Sequence, residues 1–164
     1  MNTVAIIQAR MTSTRLPGKV LAEFAGQPML SYMLDRVRRA QSLDGILIAT
    51  TLNHTDDPVV DLCHEVGVAV FRGSEADVLG RYAAAAADAQ ADTIVRLTAD
   101  CPLIDPHLID QAVSTFREGG FDYLSNSIQL SYPDGLDVEV FTRSALARAN
   151  AEANLPFHRE HVTP

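Results

Sequence analysis

The chain of 164 residues predicts an α/β fold: a mostly parallel central sheet with helices on both faces. Three observations carry that expectation. Short apolar runs alternate with stretches of helical periodicity, the pattern of βαβ units. The runs at 4–7 (VAII) and 46–49 (ILIA) are continuously apolar, as strands covered on both faces are. A hydrophobic content of 47% with 21% charged residues suits a single domain, residues 1–164, long enough to bury a sizeable core.

In chain order, residues 4–7 form the first strand and empty into a polar loop. A helix starts at Pro28, since proline is favoured at the first helical position. Leu30, Met33, Leu34 and Val37 share one of its faces, and Asp35 can pair with Arg39 on the other. Residues 46–49 form the second strand. Asp57-Pro58 opens a helix that stops at Gly67, and residues 68–71 form the third strand. Ser74, followed three residues on by Asp77, resembles a capping box that starts an alanine-rich helix through Gln90. Residues 93–97 form the fourth strand. Asp105-Pro106 caps a further helix with Ile109, Ala112, Val113 and Phe116 inward, ended by Gly119-Gly120. Tyr132-Pro133-Asp134-Gly135 is a turn by composition. Residues 136–141 then alternate, with Asp137 and Glu139 on the polar side, and Glu139 reads as solvated. Residues 144–154 form a short helix, and the stretch around His158 and His161 starts another.

The formal charge of −8 is unevenly placed. Residues 1–40 carry six basic side chains against two acidic ones, whereas the rest carry seven against nineteen. A local cationic site in an acidic protein points to a small anionic ligand. The acidic total argues against a nucleic-acid partner, because phosphate-backbone binding needs a basic face. No apolar run approaches the roughly 20 residues of a membrane span, and no signal-peptide layout is present, so the expectation is a cytoplasmic protein with no membrane partner. Cys63 and Cys101 read as buried free thiols, and Arg36, Arg38 and Arg39 as a solvated surface.

In open α/β sheets, ligands bind beyond the carboxyl ends of the strands. Those ends deliver Gln8 and Arg10, then Thr50, Thr51 and Asn53, then Arg72 and Ser74, and finally Thr98 and Asp100. The first loop holds Arg10, Arg15 and Lys19, the chain's only lysine, with no acid before Glu23. Arginine offers a planar fork to phosphate oxygens and lysine a compact point charge. Thr12, Ser13 and Thr14 add neutral donors. The loop is not a Walker sequence, since Gly18-Lys19 is followed by Val20, and no G-x-G-x-x-G is present. A phosphate cradle and an ordinary polar loop both remain open. Asp100 fits a ligand for a hard cation such as Mg²⁺, which takes one or two carboxylates and completes its shell with phosphate and water. A turn-forming aspartate is the alternative. Asp137 could supply a second metal ligand or accept a sugar hydroxyl. His158-x-x-His161 has metal-compatible spacing without a third ligand in reach.

The segment IIQARMTSTRLPGKVL closely resembles the opening signature of the CMP-KDO synthetase and acylneuraminate cytidylyltransferase superfamily. FRGSEADVLGRY, RLTADCPLIDP, YPDGLDVEVF and REHVTP extend the likeness along most of the chain, and together resemble the spore coat polysaccharide biosynthesis protein F-like branch. The resemblance implies a Rossmann-like nucleotide-diphosphosugar-transferase fold that binds CTP. It implies that Gln8, Ala9 and Arg10 lie by the nucleotide, that Arg10 and Lys19 hold the triphosphate with help from Arg15, and that Asp100 binds Mg²⁺. Thr51, Arg72 and Ser74 would line the base and ribose pocket, and Asp137 would stand on the sugar side. Two departures stand out. Thr98-Ala99 precede Asp100 where the synthetases usually have Gln-Gly, and relatives run beyond REHVTP through a C-terminal section this chain lacks, which often supplies a homodimer contact.

The implied reaction is transfer of CMP from CTP to a sugar or sugar acid, with release of pyrophosphate, for cell-surface polysaccharide or glycan synthesis. Arg10, Lys19 and Asp100 would be its catalytic residues. Two rivals stay open: a glycosyltransferase using a preformed sugar nucleotide, and a non-catalytic nucleotide-binding module. The first usually wants a D-x-D pair at its metal, whereas Asp100-Cys101-Pro102 offers one carboxylate.

Overall fold

The structure, a computed structural model, describes residues 1–13, 15–129 and 132–164. Its first half contains β1 (Thr3–Gln8), a 3-10 turn (Lys19–Leu21), β2 (Glu23–Phe24), β3 (Gln27–Pro28), α1 (Met29–Val37), β4 (Gly45–Thr51), α2 (Asp57–Glu65) and β5 (Ala69–Gly73). There follow α3 (Val78–Asp88), β6 (Thr93–Thr98), α4 (Pro106–Gly119), β7 (Tyr123–Ser125), β8 (Glu139–Thr142), α5 (Arg143–Glu152) and α6 (Pro156–His161).

Six strands pair in the order β5-β4-β1-β6-β8-β7. The first four are mutually parallel, and β8 runs antiparallel to both β6 and β7. Because side chains alternate along a strand, β1 feeds both faces: Ala5 and Ile7 join one apolar cluster, Val4 and Ile6 the other. Residues of α1, α2 and α4 cover the first face; α3 and Leu146 of α5 cover the second. The expected α/β fold, with helices on both faces, is therefore what forms.

Several boundaries differ from expectation for identifiable reasons. Pro28 is the N-cap of α1, which begins one residue later than expected, and it also closes a small hairpin with β2, where Ala25 and Gly26 take positive φ (51° and 85°) and turn the chain back. Asp77, not Ser74, is the N-cap of α3: its carboxylate accepts from the Gly80 amide at 2.8 Å. The Ser74 hydroxyl instead accepts from the Asp77 amide at 3.1 Å, one turn upstream. Asp35 pairs with Arg38 rather than Arg39 (3.7 Å). Arg36 and Arg38 are not purely solvated, since each donates to a backbone carbonyl, Ile104 and Val66 respectively. Cys63 is buried, while Cys101 is only half-buried.

Glu139 overturns its expected exposure. It is buried opposite Arg96 in the β6–β8 register and forms an ion pair with it. Tyr123 and Thr163 donate to its other oxygen at 2.8 and 2.7 Å. A polar strand face here means a polar interior.

Candidate active site

The loop after β1 is anchored before it reaches any ligand. Asp56, fully buried, accepts from the Met11 amide at 2.7 Å and from Thr50 and Thr51. The Gly18 amide donates to the Met11 carbonyl at 2.8 Å, and Gly18 adopts a left-handed φ of 72° that a side chain would strain. Val20 then drops into the core. These fixings bring Lys19 across the sheet's carboxyl edge, where its ammonium meets the Asp100 carboxylate at 2.6 Å.

That contact sits on a cleft of about 400 Å³ between the β1 loop, the end of β6, α3 and α6. Gln8, Ala9, Arg10, Arg15, Lys19 and Asp100 all line it, so six of the residues expected to bind nucleotide or metal share one wall-to-wall space. Ser13 lines it too, whereas Thr14 lies outside the described residues. Arg10 faces Glu75 at 3.6 Å, a loose contact in solvent. Gln8 is oriented from below, its carbonyl oxygen accepting from Arg96 at 3.3 Å.

Asp100 titrates below the ordinary carboxylate range. Burial pushes its pKa up, but hydrogen bonds from Lys19 and Thr98 and the Lys19 charge outweigh burial. The site therefore holds a carboxylate, kept ionised, and beside it a lysine that a stronger anion can draw away. A second hollow of about 430 Å³ on the Leu79–Phe141–Leu146 side is lined mainly by apolar atoms and has no arginine or lysine for a phosphate.

Thr51, Arg72, Ser74 and Asp137 do not line the cleft. Thr51 is fully buried, with its hydroxyl committed to Asp56. Arg72 donates to the carbonyls of Thr51 and Asn53, both at 2.8 Å, and pairs with Asp57 at 2.7 Å. Ser74 caps locally. Asp137 is exposed, near enough to Cys101 that, after burial and alongside Asp100, its charge helps hold that thiol's pKa up. The cleft also contains Thr98, one of the strand-end residues, Glu160 and His161 from the α6 stretch, and Arg81, to which the sequence assigned no role. Arg81 stands near the end of the FRGSEADVLGRY segment that carries part of the family likeness, at the start of an alanine-rich helical pattern, and that likeness assigned it no role. His158 and His161 sit on α6 against Phe157, and no group of three or more metal-ligating side chains occurs among the described residues.

Fold and cleft together define an α/β protein with a cleft at the carboxyl edge of its sheet, lined by Arg10, Arg15, Lys19 and Asp100. Residues 4–164 match the cytidylyltransferase family, and the chain belongs to it. It is 37% identical over 163 residues to the spore coat polysaccharide biosynthesis protein SpsF of Bacillus subtilis, covering 96% of this chain and 67% of that protein. It is 39% identical over 118 residues to a 3-deoxy-manno-octulosonate cytidylyltransferase of Trichlorobacter lovleyi, covering 71% of this chain but 45% of that one. The structure of a cytidylyltransferase from Leptospira borgpetersenii superposes with a TM-score of 0.96 at 40% identity, over all of this chain and 70% of the other. The chain thus spans about two-thirds of the length of its full-coverage relatives. No helix among the described residues is long and apolar enough to cross a membrane.

Proposed function

We propose that this chain carries the nucleotide and metal site of an enzyme that transfers CMP from CTP to a hydroxyl of a sugar or sugar acid, releasing pyrophosphate. The product class would feed a cell-surface polysaccharide, as the name of the spore coat relative indicates for that protein. One observation carries the reading: the separable Lys19–Asp100 pair at the mouth of a cleft lined by Arg10 and Arg15.

On this reading Lys19 and Arg10 hold the triphosphate, Arg15 assists from the loop, and Gln8 and Ala9 lie along the nucleotide. Thr51, Arg72 and Ser74 support the base and ribose end through the backbone they fix, and Asp137 faces the acceptor sugar. Asp100 fits a Mg²⁺ ligand. Asp100 would hold such a cation by its one carboxylate, in keeping with Mg²⁺, which typically takes one or two carboxylates together with phosphate oxygens and water. When bound, it neutralises phosphate charge and lowers the pKa of a coordinated hydroxyl.

Cytidylyl transfer asks for positioning and charge neutralisation more than covalent help. In the structure Lys19 neutralises Asp100. With nucleotide and cation bound, Lys19 would hold phosphate oxygens and Asp100 would hold the cation, each released from the other. Both charges are then already aimed when the α-phosphate is attacked in line.

Calorimetry against CTP, UTP, GTP and ATP, with and without Mg²⁺, tests the reading. Mg²⁺-dependent binding that favours CTP is expected, followed by pyrophosphate release when a sugar acid is added. Release of a nucleoside diphosphate from a sugar nucleotide would point to glycosyl transfer instead. Tight Mg²⁺–CTP binding without any turnover would leave only a binding module.

A further inference from the structure

We propose that Arg81 is a further oxyanion-binding residue of the cleft, held ready to take a phosphate of the nucleotide. The inference rests on the nucleotide reading above. Arg81 lies on the first turn of α3, is 3% exposed, and lines the cleft. Among the described residues no carboxylate pairs with it. Its one side-chain hydrogen bond among the described residues runs from Nη1 to the Ser74 carbonyl, and its buried Nε has no partner.

That is an unusual state for a guanidinium. A buried cation without a counter-charge is costly, and arginines in protein interiors normally face a carboxylate. Two other arginines with largely buried side chains follow that rule: Arg96 has Glu139 and Arg159 has Asp77. The acidic groups whose charges reach Arg81, Asp56 and Glu75, are spent elsewhere. Asp56 serves Met11, Thr50 and Thr51, and Glu75 serves Thr12, Asn53 and Arg10.

The side chain is also fixed in place. A Cβ built on Gly73 would stand 2.9 Å from the Arg81 Cγ, so strand β5 packs directly against the arginine stem. An arginine so confined loses little entropy when it binds, which is how preorganised charge acts. A full counter-charge matches a full charge, so a phosphate suits the position better than a neutral base edge. Burial lowers the Arg81 pKa, and repulsion from Arg10 adds to that, a strain that a polyanion spanning the two would relieve.

The test compares the wild-type chain, Arg81→Met and Arg81→Lys by thermal unfolding and calorimetry. The probes are Mg²⁺–CTP, inorganic tripolyphosphate and cytidine. Arg81→Met is expected to melt at or above the wild-type temperature without ligand. It should bind CTP and tripolyphosphate about 10- to 100-fold more weakly, the span of one charged hydrogen-bond contact. Cytidine affinity should not move, and Arg81→Lys should fall between. An Arg81→Met chain that fails to fold, or that binds both phosphate probes as wild type does, overturns the proposal. So does equal loss for cytidine and CTP, which would make Arg81 a base contact. If the wild type binds tripolyphosphate through Arg81 but shows no preference for CTP, the cytidylyl reading falls while this inference stands.

Discussion

Two ion pairs, four residues apart along β6 and the loop that follows it, put the same chemistry to opposite uses. Arg96–Glu139 is buried, with side chains 15% and 12% exposed, and its atoms are shared with Tyr123, Thr163 and Gln8. The Arg96 guanidinium also lies 5.7 Å from the centre of the Tyr82 ring. Lys19–Asp100 is 21% and 40% exposed and opens onto a cleft. The first pair is enmeshed and cannot part without stranding a charge. The second joins a flexible ammonium to a solvent-facing carboxylate, and parting it costs little. One pair holds structure; the other, on the reading proposed above, is free to exchange partners with a ligand.

The comparison breaks most visibly if the buried pair proves dispensable. Glu139→Ala strands the Arg96 charge and leaves Tyr123 and Thr163 without an acceptor, so a loss of about 3–5 kcal/mol is expected in denaturant unfolding. Replacing both partners, Arg96→Met with Glu139→Leu, should recover most of that, since no charge is left stranded. A single variant within 1 kcal/mol of wild type, on the order of a surface substitution, would contradict the picture of an enmeshed pair.

At the cleft the same operation should spare the fold and strike the reaction. Lys19→Ala or Asp100→Ala should change unfolding free energy by no more than about 1 kcal/mol, as for a partly exposed pair. Each should remove about 3 kcal/mol of transition-state stabilisation, roughly a hundredfold in pyrophosphate release. Unimpaired turnover in both would remove the proposed roles.

The same contrast explains what was legible in the sequence. The parallel strands and α4 were readable because their periods are regular, and Ile109, Ala112, Val113 and Phe116 are indeed the buried face. The β2–β3 hairpin was not, because two-residue strands have no period to detect. Gln8, Arg10, Lys19 and Asp100 could be brought together from strand exits plus family likeness. Glu139 could not, because alternation assigns a residue to a face without saying that Arg96 stands across from it. Arg81 was hidden for a related reason: its meaning is the carboxylate it lacks, and an absent partner leaves no mark in a linear pattern.

A smaller effect sharpens the account of Asp100 by pH. Burial raises its pKa, but hydrogen bonds from Lys19 and Thr98 overcome burial, so the folded value is depressed. A depressed value keeps the carboxylate ionised, and able to take a cation, at pH values below its ordinary range. Lys19→Ala removes a lowering contribution, so the acid limb of Mg²⁺ binding by the chain should move to higher pH. A limb that stayed put or moved lower would show that Lys19 does not govern Asp100.

A third pair, Arg159–Asp77, is about as exposed as Lys19–Asp100 but faces a helix cap, and should give the smallest response. Asp77 caps α3 through the Gly80 amide and receives the Arg159 Nε at 2.8 Å, tying α6 to the helix that carries Arg81. Asparagine can still cap a helix, so Asp77→Asn removes the charge and keeps the cap. Because the pair is partly exposed, about 0.5–1 kcal/mol should be lost at neutral pH. The Arg159 hydrogen bond depresses the Asp77 pKa most; burial opposes it, and the Gly80 amide adds to the lowering. Its stabilisation is therefore present above the ordinary aspartate value of about 3.9 and fades as pH falls through the depressed folded value. Unfolding curves of the two proteins should converge on acidification. A gap that persisted in acid would mean that Asp77 acts through its shape at the helix start, with its charge contributing nothing.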